Sequence, residues 1–130
     1  MKYGLGILLM FLVFSCTKDN IRTFSDLNGK WVDINTKTDT LIFKMNGDSE
    51  MMFLERGKEI RNGFLLPKYG SGPYDYKLLT SDNKISLRWG LSSNNSFKDY
   101  YFKQSGDNLI VENFFDISED GRKLTFKKIN

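Results

Sequence analysis

The chain has 130 residues, with 19 Lys and Arg against 16 Asp and Glu, one cysteine and no histidine. Charges of both signs alternate along it without a basic block, so no nucleic-acid footprint is present and no nucleic-acid partner is expected. The lone cysteine and missing histidines exclude internal disulfides, Cys/His zinc sites and His-based general catalysis. No Asp/Glu pair stands out from the surface alternation either, so a non-enzymatic role without metal or cofactor is expected.

The N-terminus is the most informative stretch. Lys2 supplies a positive charge ahead of Tyr3 to Phe14, an unbroken run of apolar residues and glycines. A run of that length is too short to cross about 30 Å of hydrocarbon as a helix. It suits the apolar region of a secretory signal peptide. Val13-Phe14-Ser15-Cys16 then resembles a bacterial lipobox, with an aliphatic residue three before the cysteine and a small one just before it. That resemblance implies cleavage before Cys16 and lipidation (palmitate and related acyl chains) on its thiol. Two or more buried acyl chains anchor stably where one would be marginal. The expected organisation is a signal peptide at 1–15, a lipidated N-terminus and linker at 16–28, and one domain at 29–130. Thr17-Lys18-Asp19-Asn20 resembles the short Lys/Asp segments that route some lipoproteins to the cell surface. The implied place is the bacterial outer membrane, facing the periplasm or the exterior.

Beyond the linker, one helical turn is expected at Phe24 to Leu27, followed by short runs of period-two alternation rich in aromatic and β-branched residues. They predict strands over Gly29–Asn35, Asp39–Met45, Glu50–Arg56, Pro73–Thr80, Lys84–Trp89, Phe97–Gln104, Asn108–Phe115 and Arg122–Ile129. Ile60–Leu66 is a ninth, weaker run, interrupted by Asn62-Gly63 and apolar without alternation. An antiparallel meander closes on itself only with an even strand count, so the ninth run is set aside. The fold expected is all-β: an eight-stranded antiparallel up-and-down barrel. Tight turns at Asn46–Ser49, Ser81–Asn83 and Ser105–Asp107 mark one closed end, and longer connections form a mouth at the other.

Leu27-Asn28-Gly29-Lys30-Trp31, with Gly-x-Trp opening the first strand, resembles the lipocalin family and its short bacterial relatives. The closing run Leu124-Thr125-Phe126-Lys127-Lys128 extends the likeness over nearly the whole domain. The resemblance implies that Trp31 plugs the closed end. Lys127 or Lys128 stands where the family places an arginine across that ring.

Period two assigns interior positions to Leu41, Phe43 and Met45, to Tyr74, Tyr76 and Leu78, to Ile85, Leu87 and Trp89, and to Leu124 and Phe126. Phe97–Gln104 is ambiguous, because Tyr100 and Tyr101 lie on opposite faces. Eight strands leave an interior that is filled by side chains or holds one small ligand. Tyr74 and Trp89 fall at strand ends on the mouth side, Tyr76 lies deeper, and Phe64 and Tyr69 belong to the long 57–72 connection. These five residues are the expected contacts for a small apolar or amphipathic molecule. The alternative is a filled barrel whose mouth loops dock on a protein of the cell envelope.

Overall fold

The computed structural model describes residues 27–129. The expected signal peptide, the expected lipidation site Cys16 and the linker up to residue 26 lie outside the described residues. Ten strands follow: β1 (Gly29–Asp33), β2 (Thr40–Asn46), β3 (Ser49–Glu55), β4 (Lys58–Arg61), β5 (Phe64–Pro67), β6 (Gly72–Leu79), β7 (Lys84–Trp89), β8 (Lys98–Ser105), β9 (Asn108–Glu112) and β10 (Lys123–Ile129). Eight of them close a barrel in the order β1-β10-β9-β8-β7-β6-β3-β2, every neighbouring pair antiparallel. The protein is an all-β, up-and-down barrel, and closure leaves the barrel sheet itself no open edge.

Strand pairing explains why the alternation is readable in the chain. Leu41 faces Leu54 across β2 and β3, Phe43 faces Met52, and all four are buried. On the other wall Leu124 faces Val111 and Phe126 faces Leu109, again all buried. With Trp31, Ile85 and Phe102 these side chains fill the barrel through its middle and closed end. The ambiguous strand resolves the same way. Phe102 points inward with Tyr100 against the core, and Tyr101 turns out beneath the Lys123 ammonium, 4.1 Å from its ring centroid.

Several expectations need correction. Met45 is 48% exposed rather than interior, because the β2–β3 hairpin runs past the barrel floor with Lys44, Met45 and Asn46 all outside. The first strand stops at Asp33, not Asn35. The Asp33 carboxylate accepts the amide N–H groups of Asn35 and Thr36 and bends the chain into a turn. The ninth strand ends at Glu112, short of Phe115, for a related reason. Asn113 accepts the N–H groups of Phe115 and Asp116 on Oδ1 and donates from Nδ2 to the carbonyls of Asp116 and Glu119, which pins the whole 113–119 loop.

The weak ninth run is neither a barrel strand nor a single strand. It splits at Asn62-Gly63, which take φ of 52° and 81°, the left-handed pair that a two-residue type I′ hairpin requires. β4 and β5 flank that turn as a separate two-stranded sheet that pairs with no barrel strand. Ile60, Phe64 and Leu65 on this flap are 76%, 69% and 63% exposed.

Candidate functional site

The chain's chemistry gathers at the mouth, where the β1–β2, β3–β6, β7–β8 and β9–β10 connections meet. Antiparallel register sets Tyr74 of β6 directly opposite Trp89 of β7. Their rings lie nearly parallel, with centroids 6.5 Å apart. Tyr69, on the returning limb of the flap, turns its ring against Trp89 at 5.5 Å. From the other wall Phe114 meets Tyr74 edge-on at 5.0 Å and touches Tyr100 at 5.9 Å. These offset and edge-to-face contacts are the arrangement that ring quadrupoles favour.

The polar ends of two rings are used within the protein. The Tyr74 hydroxyl donates to the Gly70 carbonyl at 2.6 Å, and the Trp89 indole N–H donates to the Ser71 carbonyl at 3.3 Å. Burial, above all, holds the Tyr74 phenol far above its ordinary value, so it stays a neutral donor. Both residues fasten the base of the flap and present ring faces to the mouth. Gly70 makes this possible. It has φ of 82°, and a Cβ there would sit 2.7 Å from the Cβ of Phe115, so no larger residue fits.

Between these rings lies an open cavity of about 170 Å3. Tyr69, Tyr74, Leu87, Trp89, Tyr100 and Phe114 form its walls, with Ser92, Asn94, Ser96 and Lys98 at the rim. A broader groove of about 430 Å3 runs beside it under the flap, between Lys68 and Tyr69 on one side and Phe115 to Ser118 on the other.

Three of the five expected binding residues, Tyr69, Tyr74 and Trp89, therefore share one cavity. Tyr76 does not reach it. Its ring packs edge-on against Phe43 at 5.5 Å, and its hydroxyl donates to Glu50 toward the closed end. Phe64 stands away from the cavity beside the flap's Asn62-Gly63 turn. Sequence reading missed Phe114, Lys98 and the inward role of Tyr100. The aromatic pair Phe114-Phe115 at the end of an alternating run was the available signal.

It also missed a buried charge cluster beneath the flap. Asp33 and Asp39 are both buried at this end, and Arg56 Nε lies 3.6 Å from Asp39 Oδ2. Arg56 Nη1 donates to the Tyr69 carbonyl at 2.8 Å, and its guanidinium stacks 4.6 Å from the Phe115 ring centroid. Desolvation raises the Asp39 carboxyl above its ordinary value, against the opposing pull of Arg56. All three groups serve the architecture. Asp33 holds the β1–β2 turn, and Asp39 with Arg56 ties that connection to the flap. Among the described residues no set of three or more His, Cys, Asp or Glu is placed to hold a metal ion.

At the closed end Trp31 is fully buried, and its indole N–H donates to the Leu27 carbonyl at 2.8 Å. Of the two candidate lysines, Lys128 is the one whose amine lies over the ring. No protein-family model matches the chain, and neither a curated protein nor a solved structure matches it. What is established is the barrel and its geometry.

Proposed function

We propose that the protein is a lipoprotein, anchored through acylated Cys16 in a bacterial outer membrane, whose lipocalin-like barrel binds a small apolar or amphipathic molecule at its mouth. The observation that carries this reading is the convergence of Tyr69, Tyr74 and Trp89 on one open cavity. The filled core below keeps the site shallow, so a guest rests against the rings instead of entering the barrel axis. A volume of about 170 Å3 lies below the ~300–1,000 Å3 usual for drug-sized ligands, but slightly above an apolar cavity known to accept benzene at ~150 Å3. The guest is therefore small.

Native extraction from membranes followed by mass spectrometry tests the reading. A small molecule that travels with the protein, and is lost on Trp89→Ala while the barrel stays folded, supports it. Retention of that molecule by the Trp89→Ala protein would place binding elsewhere.

A second reading has its own support. The flap exposes Ile60 and Leu65, register partners on one face, and Phe64 on the other, which favours a module that docks on an envelope protein through the mouth loops. Serine at those three positions would abolish such docking and leave a small-molecule site at Trp89 intact.

A further inference from the structure

We infer that the mouth site selects a small anionic guest, a single ring or short acyl body carrying one carboxylate, oriented by Lys98. This deepens the small-molecule reading above and rests on it. Among the cavity's lining residues there is one charged side chain, Lys98, and no carboxylate. Lys98 belongs to the start of β8, opposite Leu87, and its amine hangs 5.3 Å from the Tyr100 ring centroid at the rim.

Position decides the sign of the guest. Aromatic rings attract cations, and the walls of this cavity are mostly aromatic. Here the cation is already supplied by the protein, since Lys98 places its own ammonium over Tyr100. A second cation entering the same ring set meets repulsion, whereas an anionic head gains a partner. Arg56 is tied to the Tyr69 carbonyl and the Phe115 ring. The acidic charges nearby are Glu112, which acts on Tyr100, and Asp116 and Asp120, which line a neighbouring cavity that shares Lys98, Tyr100 and Phe114 with this one. They limit where the head can lie. It must approach from the Ser92, Asn94 and Ser96 side, where the rim is polar and neutral. The apolar body then rests on Trp89 and Tyr74, whose N–H and O–H are turned to the flap base.

Size follows from volume. At about 30 Å3 of liquid volume per water, the cavity holds the equivalent of a few waters. The part of the guest held between the rings therefore matches one six-membered ring or a short chain.

The probes are benzoate, benzyl alcohol and benzylammonium, titrated separately into the full chain. The two indole N–H resonances, Trp89 at the mouth and Trp31 at the closed end, are followed by NMR. The expected result is a shift at Trp89 with Trp31 unmoved, and affinity in the order benzoate, benzyl alcohol, benzylammonium. Lys98→Met keeps the stem and removes the charge. It should weaken benzoate about threefold, the scale of an exposed ion pair, and leave benzyl alcohol unchanged. Benzylammonium or benzyl alcohol binding at Trp89 as tightly as benzoate, or benzoate unaffected by Lys98→Met, overturns the anionic assignment and leaves the mouth site standing. No shift at Trp89 with any probe, or a shift confined to Trp31, overturns both.

Discussion

Lys128 places its ammonium 5.4 Å from the centroid of the Trp31 ring, directly across the β1–β10 seam where the two residues are register partners. The first and last barrel strands are thus locked at the same point where the closed end is plugged. Lys127, paired with Val32, faces the other side of the sheet. Lys128→Met, which keeps most of the stem and removes the charge, should lower stability by about 0.5–1 kcal/mol. Lys127→Met should change it by less than about 0.5 kcal/mol, as surface substitutions do. Urea denaturation of the two variants beside the parent protein measures the difference. Equal effects would mean that the ring–amine contact contributes nothing.

Much of the fold was legible because a barrel with one buried face writes its period into the chain. Phe43, Ile85, Leu87 and Phe126 are buried where alternation put them. Tyr76 fails as a cavity residue because it sits too deep in β6, against Phe43. The failures at Met45 and Phe64 depend on what happens after the strand leaves the barrel. Met45 obeys the period, but lies beyond the floor. Phe64 is apolar and sits in a mouth connection, yet Asn62-Gly63 folds its segment back as a hairpin and carries it into solvent. Residues far apart in sequence made the rest invisible. Nothing local tells that Arg56 will meet Asp39 and the Tyr69 carbonyl, or that Phe114 will close the wall opposite Tyr74.

Two carboxylates near the mouth should titrate with opposite effects on stability. Burial raises Asp39 in the folded state, so folding favours its protonated form, and its contribution improves as pH falls from neutral toward the ordinary value of 3.8. Asp116 is lowered, chiefly by the Ser118 hydroxyl and amide that donate to it. Its contribution is present above the ordinary value and is lost as pH falls through the depressed one. Relative to Asp39→Asn, the parent protein should therefore gain stability between about pH 7 and pH 4. Relative to Asp116→Asn, it should hold its advantage to about pH 4 and lose it only in stronger acid. Thermal unfolding followed from about pH 7 into acid well below pH 4 checks both signs.

The proposed lipid anchor is tested by removing its attachment point. Cys16→Ser leaves the apolar run and the Lys18-Asp19 segment unchanged, but takes away the thiol that the lipobox resemblance assigns to acylation. The mature protein should then move from the membrane fraction to the soluble one, since the substituted chain gains no acyl group. Fractionation after confirmed signal cleavage reads this out. A Cys16→Ser protein that stays with the membrane after its signal peptide is removed would remove the basis for the proposed outer-membrane anchoring.

The last prediction separates the two functional readings. The flap is pinched shut at its base, where the Lys68 N–H donates to the Gly57 carbonyl at 3.1 Å. Its strands pair only with each other, and its apolar residues are exposed. Isolated two-stranded hairpins add little stability in water. Replacing residues 58–67 by Asn-Gly should therefore close the connection as a short turn and change barrel stability by less than about 1 kcal/mol. The excision spares Arg56, Tyr69, Tyr74 and Trp89, so the aromatic cavity and its fastening through Asp39 stay in place. If the protein acts on a small molecule at the mouth, binding followed at the Trp89 indole should persist in the excised protein. If it acts by docking through the flap, co-purification with its envelope partner should disappear while that indole response is unchanged. Loss of both together, with the barrel still folded by circular dichroism, would show that the flap and the cavity form one site, although Phe64 stands apart from Tyr69 and Trp89 in the structure.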